Sequence, residues 1–181
     1  RYFKINYSFI RSGCIGNNAF KQKKLCVMIS ANKSIRHPLE LYTGRLNAIN
    51  WFEKNHPAEF DLYGFDWDKG VSLLRPLETM RFLHRLPRLP ILKKYLSRHF
   101  SVYKGTVERK SDVLKNYKFS ICYENIRDMP GWITEKIFDC FFAQCVPVYW
   151  GANNVADHIP DNCFIDKRKF RTMDELYKFI I

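Results

Sequence analysis

Residues 117–150 read YKFSICYENIRDMPGWITEKIFDCFFAQCVPVYW, and the order of patterns inside this stretch decides the fold. Tyr117–Tyr123 alternates and is rich in aromatic and β-branched side chains, which predicts a strand ending at Glu124-Asn125. Arg127-Asp128-Met129-Pro130-Gly131 has the composition of a turn. Over residues 134–144 the side chains Ile137, Phe138, Phe141 and Phe142, followed by Cys145, share one helical face. Val146–Trp150, closed by Gly151, is a short apolar run of the kind that forms a buried strand.

Working outward, residues 25–30 (LCVMIS) predict another buried strand, followed by a polar loop through Pro38. Residues 41–53 follow helical spacing through Leu41, Tyr42, Leu46, Ile49, Trp51 and Phe52, with Arg45 on that helix. Residues 60–65 (FDLYGF) predict a strand, residues 164–165 a very short one, and residues 173–181 a final amphipathic helix. Strands that alternate with helices imply an α/β domain with a mainly parallel sheet.

The chain has 181 residues, 46% hydrophobic and 16% aromatic, with 8 Gly and 8 Pro, which excludes a disordered or collagen-like polymer and suits one core. No run approaches the roughly 18 apolar residues of a membrane span, and RYFKINYSFI at the start lacks the pattern of a signal peptide. Net charge is +12 and unevenly placed: residues 1–24 carry six basic side chains and no acid, residues 75–118 twelve basic and three acidic. Local positive charge predicts an anionic partner, whether a phosphorylated small molecule, nucleic acid or an acidic membrane surface, although a solvated helical face has the same composition. Pro76, Pro87 and Pro90 argue against long regular structure in the second basic stretch.

Six cysteines at 14, 26, 122, 140, 145 and 163 show no C-x-x-C spacing, so a zinc cage is not expected; those at 26, 122, 140 and 145 sit in apolar runs and suit a reduced compartment. His37, His56, His84, His99 and His158 show no ligand spacing either. Asp66-Trp67-Asp68 has the D-x-D form that holds a divalent metal on nucleotide sugars in another architecture; following a FDLYG strand, it is expected to be a surface turn.

The chemistry concentrates where the 117–123 strand gives way to its helix. In open α/β sheets ligands bind outside the carboxyl ends of strands, where a helix presents free N–H groups and its positive dipole end, a setting that suits a diphosphate. Thr134 stands at the N-cap position, Glu135 in the first turn, and Lys136 can bring an ammonium to a phosphate. In isolation such a T-E-K describes equally an ordinary capped helix.

The run from Tyr117 to Phe170, through YKFSICYEN, GWITEK and VPVYWG, resembles the donor-binding half of the α-1,3-fucosyltransferases, glycosyltransferase family 10. The likeness extends more loosely back to Leu25, through RLNAINWF and FDLYG. It implies the C-terminal half of a GT-B enzyme: a Rossmann-like, mainly parallel sheet flanked by helices over residues 25–181, with residues 1–24 a basic linker or a remnant of an N-terminal acceptor domain. The implied reaction moves L-fucose from GDP-fucose, with inversion, to a hydroxyl of an N-acetylglucosamine-containing glycan, the α-1,3 linkage being expected over α-1,4. By the same resemblance Arg45, Lys136 and Glu135 carry catalysis, Arg45 and Lys136 on the diphosphate and Glu135 on the ribose hydroxyls. Asn125, Trp132 and Thr134 would complete the donor site, Trp132 standing where the family commonly has tyrosine. No metal or other cofactor is implied beside the donor substrate, since a helix N-terminus and preorganised cations can stabilise departing GDP.

The general base of an inverting transfer would be a carboxylate of the acceptor domain. Residues 1–24 contain no Asp or Glu and LYKFII stops where the family continues, so a fragment, or a natural chain reduced to its donor domain, is expected, able to bind GDP-fucose but poor at transfer alone. The glycan acceptor would be reached through that missing domain. The resemblance implies work in bacterial cytoplasm, with peripheral contact at the inner membrane face, or at the Golgi membrane. Two other readings compete: a nucleotide-sugar binding module without transfer activity, and a nucleic-acid or anionic-membrane binder using residues 75–118. The latter has no recognised nucleic-acid-binding motif behind it, and no nucleic-acid partner is expected.

Overall fold

The fold is described by a computed structural model covering residues 20–69, 71–72 and 97–181. The chain's basic start through residue 19, with Cys14, and the segment holding Pro76, Pro87 and Pro90 lie outside the described residues. Five strands form an all-parallel sheet in the order β2-β1-β5-β6-β7: β1 (Lys24–Ile29), β2 (Phe60–Tyr63), β5 (Tyr117–Tyr123), β6 (Val146–Trp150) and β7 (Ile165–Asp166). Val71–Ser72 (β3) and Ser97–Arg98 (β4) make a separate antiparallel pair. The helices are α1 (Tyr42–Asn55), α2 (Lys110–Leu114), α3 (Glu135–Phe142) and α4 (Met173–Ile180).

Strands buried on both faces need apolar side chains at odd and even positions alike. In β5, Phe119, Ile121 and Tyr123 join the core shared with Ile49 and Phe52 of α1 and Leu176 and Ile180 of α4, whereas Cys122 joins the core shared with Leu114 of α2 and Ile137 and Cys140 of α3. Helices thus cover both faces. From β1 the chain steps first to β2 on one side and later to β5 on the other, so the order reverses between β1 and β5. That reversal leaves a crevice at the carboxyl ends of these two strands.

The strand predicted over 60–65 stops at Tyr63, because Gly64 turns the chain at φ 134. A Cβ there would lie 1.9 Å from the Ser30 carbonyl oxygen. Residues 102–104 run along β2, with the Leu62 N–H donating to the Val102 carbonyl and the Lys104 N–H to that of Leu62, which covers the sheet edge. Helix α2 has no sequence expectation behind it. The domain boundary drawn at residue 25 falls inside β1, since Lys24 already pairs with Tyr117. Among the described residues no helix is long and apolar enough to cross a membrane.

Candidate functional site

A cavity of about 420 Å³ occupies the crevice between β1 and β5, a size within the range of small-molecule sites. Met28–Ser30 form one wall, the β5 end through Asn125 another, and α1, α2 and α3 with the loops that hold Lys33, Gly64 and Glu108 contribute the rest. Four cationic side chains line it, Lys33, Arg45, Lys110 and Lys136, against two carboxylates, Glu108 and Asp139.

Arg45 lies one turn into α1 and is 6% exposed. Its Nη2 donates to the Tyr123 carbonyl and to Asn125 Oδ1, each at 2.8 Å, and the guanidinium stacks over the Tyr42 ring at 5.0 Å. Nε and Nη1 have no partner among the described residues. Burial lowers the Arg45 pKa, and nearby Tyr42 and Glu124 oppose the shift; a guanidinium stays charged in proteins.

Glu124, the residue after β5, is fully buried. One carboxylate oxygen accepts the Thr134 N–H at 2.9 Å, the Thr134 hydroxyl lies 2.9 and 2.8 Å from the two oxygens, and Lys136 Nζ donates at 2.8 Å. Lys136 Nζ also donates to Thr134 Oγ1 at 2.9 Å. Thr134 therefore occupies the N-cap position without capping: its side chain accepts nothing from the α3 backbone and turns to Glu124. The hydroxyl donates to the buried carboxylate and accepts from Lys136, and these charge-assisted hydrogen bonds hold it away from the helix N–H groups.

Glu135 does not line the cavity itself; Lys110, which does, bridges it at 3.2 Å and Asp139 at 2.9 Å. Burial raises the Glu135 pKa, but Lys136 and Lys110 outweigh it and hold the carboxyl below its usual value. Trp132 is 43% exposed on the β5–α3 loop and does not line the cavity. The loop after β6 meets this one through the Gly131 N–H, which donates to Asn154 Oδ1 at 2.8 Å. Of the six residues singled out from sequence, Arg45, Asn125 and Lys136 line one cavity, Thr134 and Glu135 flank it, and Trp132 stands apart.

Sequence reasoning passed over Glu124 and Lys110. An acidic residue ending an apolar strand ten positions before Thr134 is a signal that was available for the first. For Lys110 there was none: its role depends on α2 packing against α3. Asp66-Trp67-Asp68 forms a turn in which Asp66 takes φ 68 and pairs with Lys69, while Trp67 is buried and donates to the Ser30 carbonyl at 2.6 Å. Among the described residues no group of three His, Cys, Asp or Glu could hold a metal ion. Cys26, Cys122, Cys140 and Cys145 are free and buried. A hydrogen bond with Cys140, then burial, pushes the Cys122 thiol up, away from the reactive thiolate.

The family model "Glycosyltransferase family 10 (fucosyltransferase) C-term" matches residues 82–181. Over 74 residues the chain is 36% identical to the alpha-(1,3)-fucosyltransferase FucT of Helicobacter pylori, covering 41% of this chain and 15% of that protein. Over 67 residues it is 37% identical to an alpha-(1,4)-fucosyltransferase of Arabidopsis thaliana, covering 37% and 16%. A solved alpha1,3-fucosyltransferase superposes with a TM-score of 0.55 at 22% identity over 90% of this chain and 34% of that one. A structure of alpha1,3-fucosyltransferase with GDP-fucose gives 0.52 at 21%, over 90% and 35%. At that identity the structural likeness speaks for the fold, and the chain corresponds to about a third of those proteins.

Proposed function

The chain belongs to glycosyltransferase family 10, the fucosyltransferases, and from that premise we propose that its β1–β5 crevice holds GDP-fucose and that the protein transfers L-fucose to a glycan hydroxyl. The observation that carries this reading is the meeting of Arg45 and Lys136, 91 positions apart in sequence, in one cavity at the point where strand order reverses. As the glycosidic bond to GDP breaks, negative charge grows on the diphosphate. Arg45 offers a planar fork to two phosphate oxygens and Lys136 a point charge. Both are held before the donor arrives, so little reorganisation accompanies departure. The α3 N-terminus adds its dipole end.

Glu135, flanking the cavity, would accept from the ribose hydroxyls, and Asn125, already bonded to Arg45, would orient that guanidinium on the donor. Trp132, exposed on the rim loop, would contact the sugar or the acceptor rather than the nucleotide. Inversion at the anomeric carbon, the 3-hydroxyl of N-acetylglucosamine as nucleophile, and a carboxylate base from an acceptor domain complete the reading.

Calorimetric titration tests it. GDP and GDP-fucose should each bind with one-to-one saturation and compete with each other, while UDP binds far more weakly. Absence of GDP binding overturns the proposal. A transfer assay with N-acetyllactosamine, with the acceptor domain supplied, separates a transferase from a binding module.

A further inference from the structure

We propose that Glu124 is a positioning residue for Lys136, a buried carboxylate that fixes the ammonium at the cavity wall in advance of a phosphate-bearing ligand. The inference rests on the reading of the crevice as a nucleotide-diphosphate site. Glu124 itself does not line the cavity, whereas Lys136 does. The ammonium carries three hydrogens; one engages Glu124 at 2.8 Å and another Thr134 Oγ1 at 2.9 Å, which leaves one for a ligand.

A lysine stem is flexible, and ordering it at the moment of binding weakens affinity; a clamp made during folding removes that cost. The carboxylate cannot swing aside. Its oxygens are tied to the Thr134 N–H and hydroxyl. Its stem is walled by Gly151, where an added Cβ would fall 2.6 Å from Glu124 Cγ and 2.4 Å from the Tyr149 hydroxyl. A fully buried carboxylate is costly to keep unless something needs its charge. Glu124 is not a cap for the α3 turn: it takes the N–H and the hydroxyl of Thr134, and so holds that hydroxyl off the helix N–H groups.

The test is a double-mutant cycle on the full chain, read by calorimetry with GDP and with guanosine. Glu124→Gln keeps the shape and removes the charge, and should weaken GDP binding about tenfold while leaving guanosine binding unchanged. In a Lys136→Met background the same substitution should change GDP affinity less than about twofold, because Glu124 acts through the ammonium. An equal loss in both backgrounds, or an equal loss for guanosine, overturns the positioning role and makes Glu124 a structural strut. Wild-type protein that binds no GDP fails the functional reading instead. Should Glu124→Gln not yield folded protein, Thr134→Val removes one partner of the ammonium and leaves both charges. It should lower GDP affinity about threefold with guanosine binding kept, and Thr134→Ser should restore it; unchanged GDP affinity in Thr134→Val overturns the proposal.

Discussion

The two ends of the parallel sheet carry the same chemical parts in different settings. At the amino end, Asp61 of β2 accepts from the Tyr117 hydroxyl at 2.5 Å and from Lys24 Nζ at 2.8 Å, with Lys104 at 3.7 Å. At the carboxyl end, Glu124 takes Thr134 and Lys136. Each is a carboxylate with a hydroxyl and an ammonium. None of Asp61, Lys24 and Tyr117 lines the cavity; the first cluster fastens β1, β2 and β5 at their starts. The second presents its ammonium to the crevice. What separates the two clusters is the end of the sheet on which the cation stands: Lys136 lines the cavity and Lys24 does not.

The sharpest break is Asp61→Ala. It removes the carboxylate that accepts from the Tyr117 hydroxyl and from Lys24, and should cost about 2–3 kcal/mol in urea unfolding, with GDP affinity of the folded fraction unchanged. Altered affinity would mean that the two ends communicate. Gly151→Ala should follow, at about 2 kcal/mol of stability, and because the new methyl presses on Glu124 it should also weaken GDP binding. A variant that loses stability alone would uncouple Gly151 from the clamp.

Acid unfolding sharpens the contrast further. Burial pushes the Asp61 carboxyl up, but hydrogen bonds from Lys24 and Tyr117 outweigh it and hold its pKa below the ordinary carboxylate value. A depressed folded-state pKa gives stability that is present above the unfolded value, roughly pH 4, and lost as pH falls through the folded one. Asp61→Asn should therefore flatten the stability profile below about pH 4; an unchanged profile would place the acid sensitivity elsewhere. The smallest effect is expected at Glu135→Gln. It should lower GDP affinity roughly threefold and erase any preference for GDP over 2′-deoxy-GDP; a preserved preference would remove Glu135 from ribose recognition.

The sheet was legible because its strands are buried on both faces. Tyr117–Tyr123 and Val146–Trp150 stand where their apolar patterns put them, and Leu46, Ile49 and Phe52 mark α1 with Arg45 on it. The site was legible only in part. Lys136 follows from position, since a helix that opens after a strand end points its first turn at the crevice. Thr134 misled because its sequence position names a cap, while its hydroxyl answers to a buried carboxylate ten residues earlier that no local pattern weighs. Lys110 was out of reach, since its contacts with Glu135 and Asp139 span 25 and 29 positions.

If the carboxyl-end cluster binds a nucleotide diphosphate and the amino-end cluster only stabilises, the two differ in the rise in melting temperature on adding saturating GDP, compared among wild type, Asp61→Asn and Lys136→Met. A ligand that binds only the folded state raises that temperature in step with its affinity. A full GDP-dependent rise is expected in Asp61→Asn, despite a lower starting temperature, and little or none in Lys136→Met. Equal rises in the two variants, or none in wild type, would contradict it.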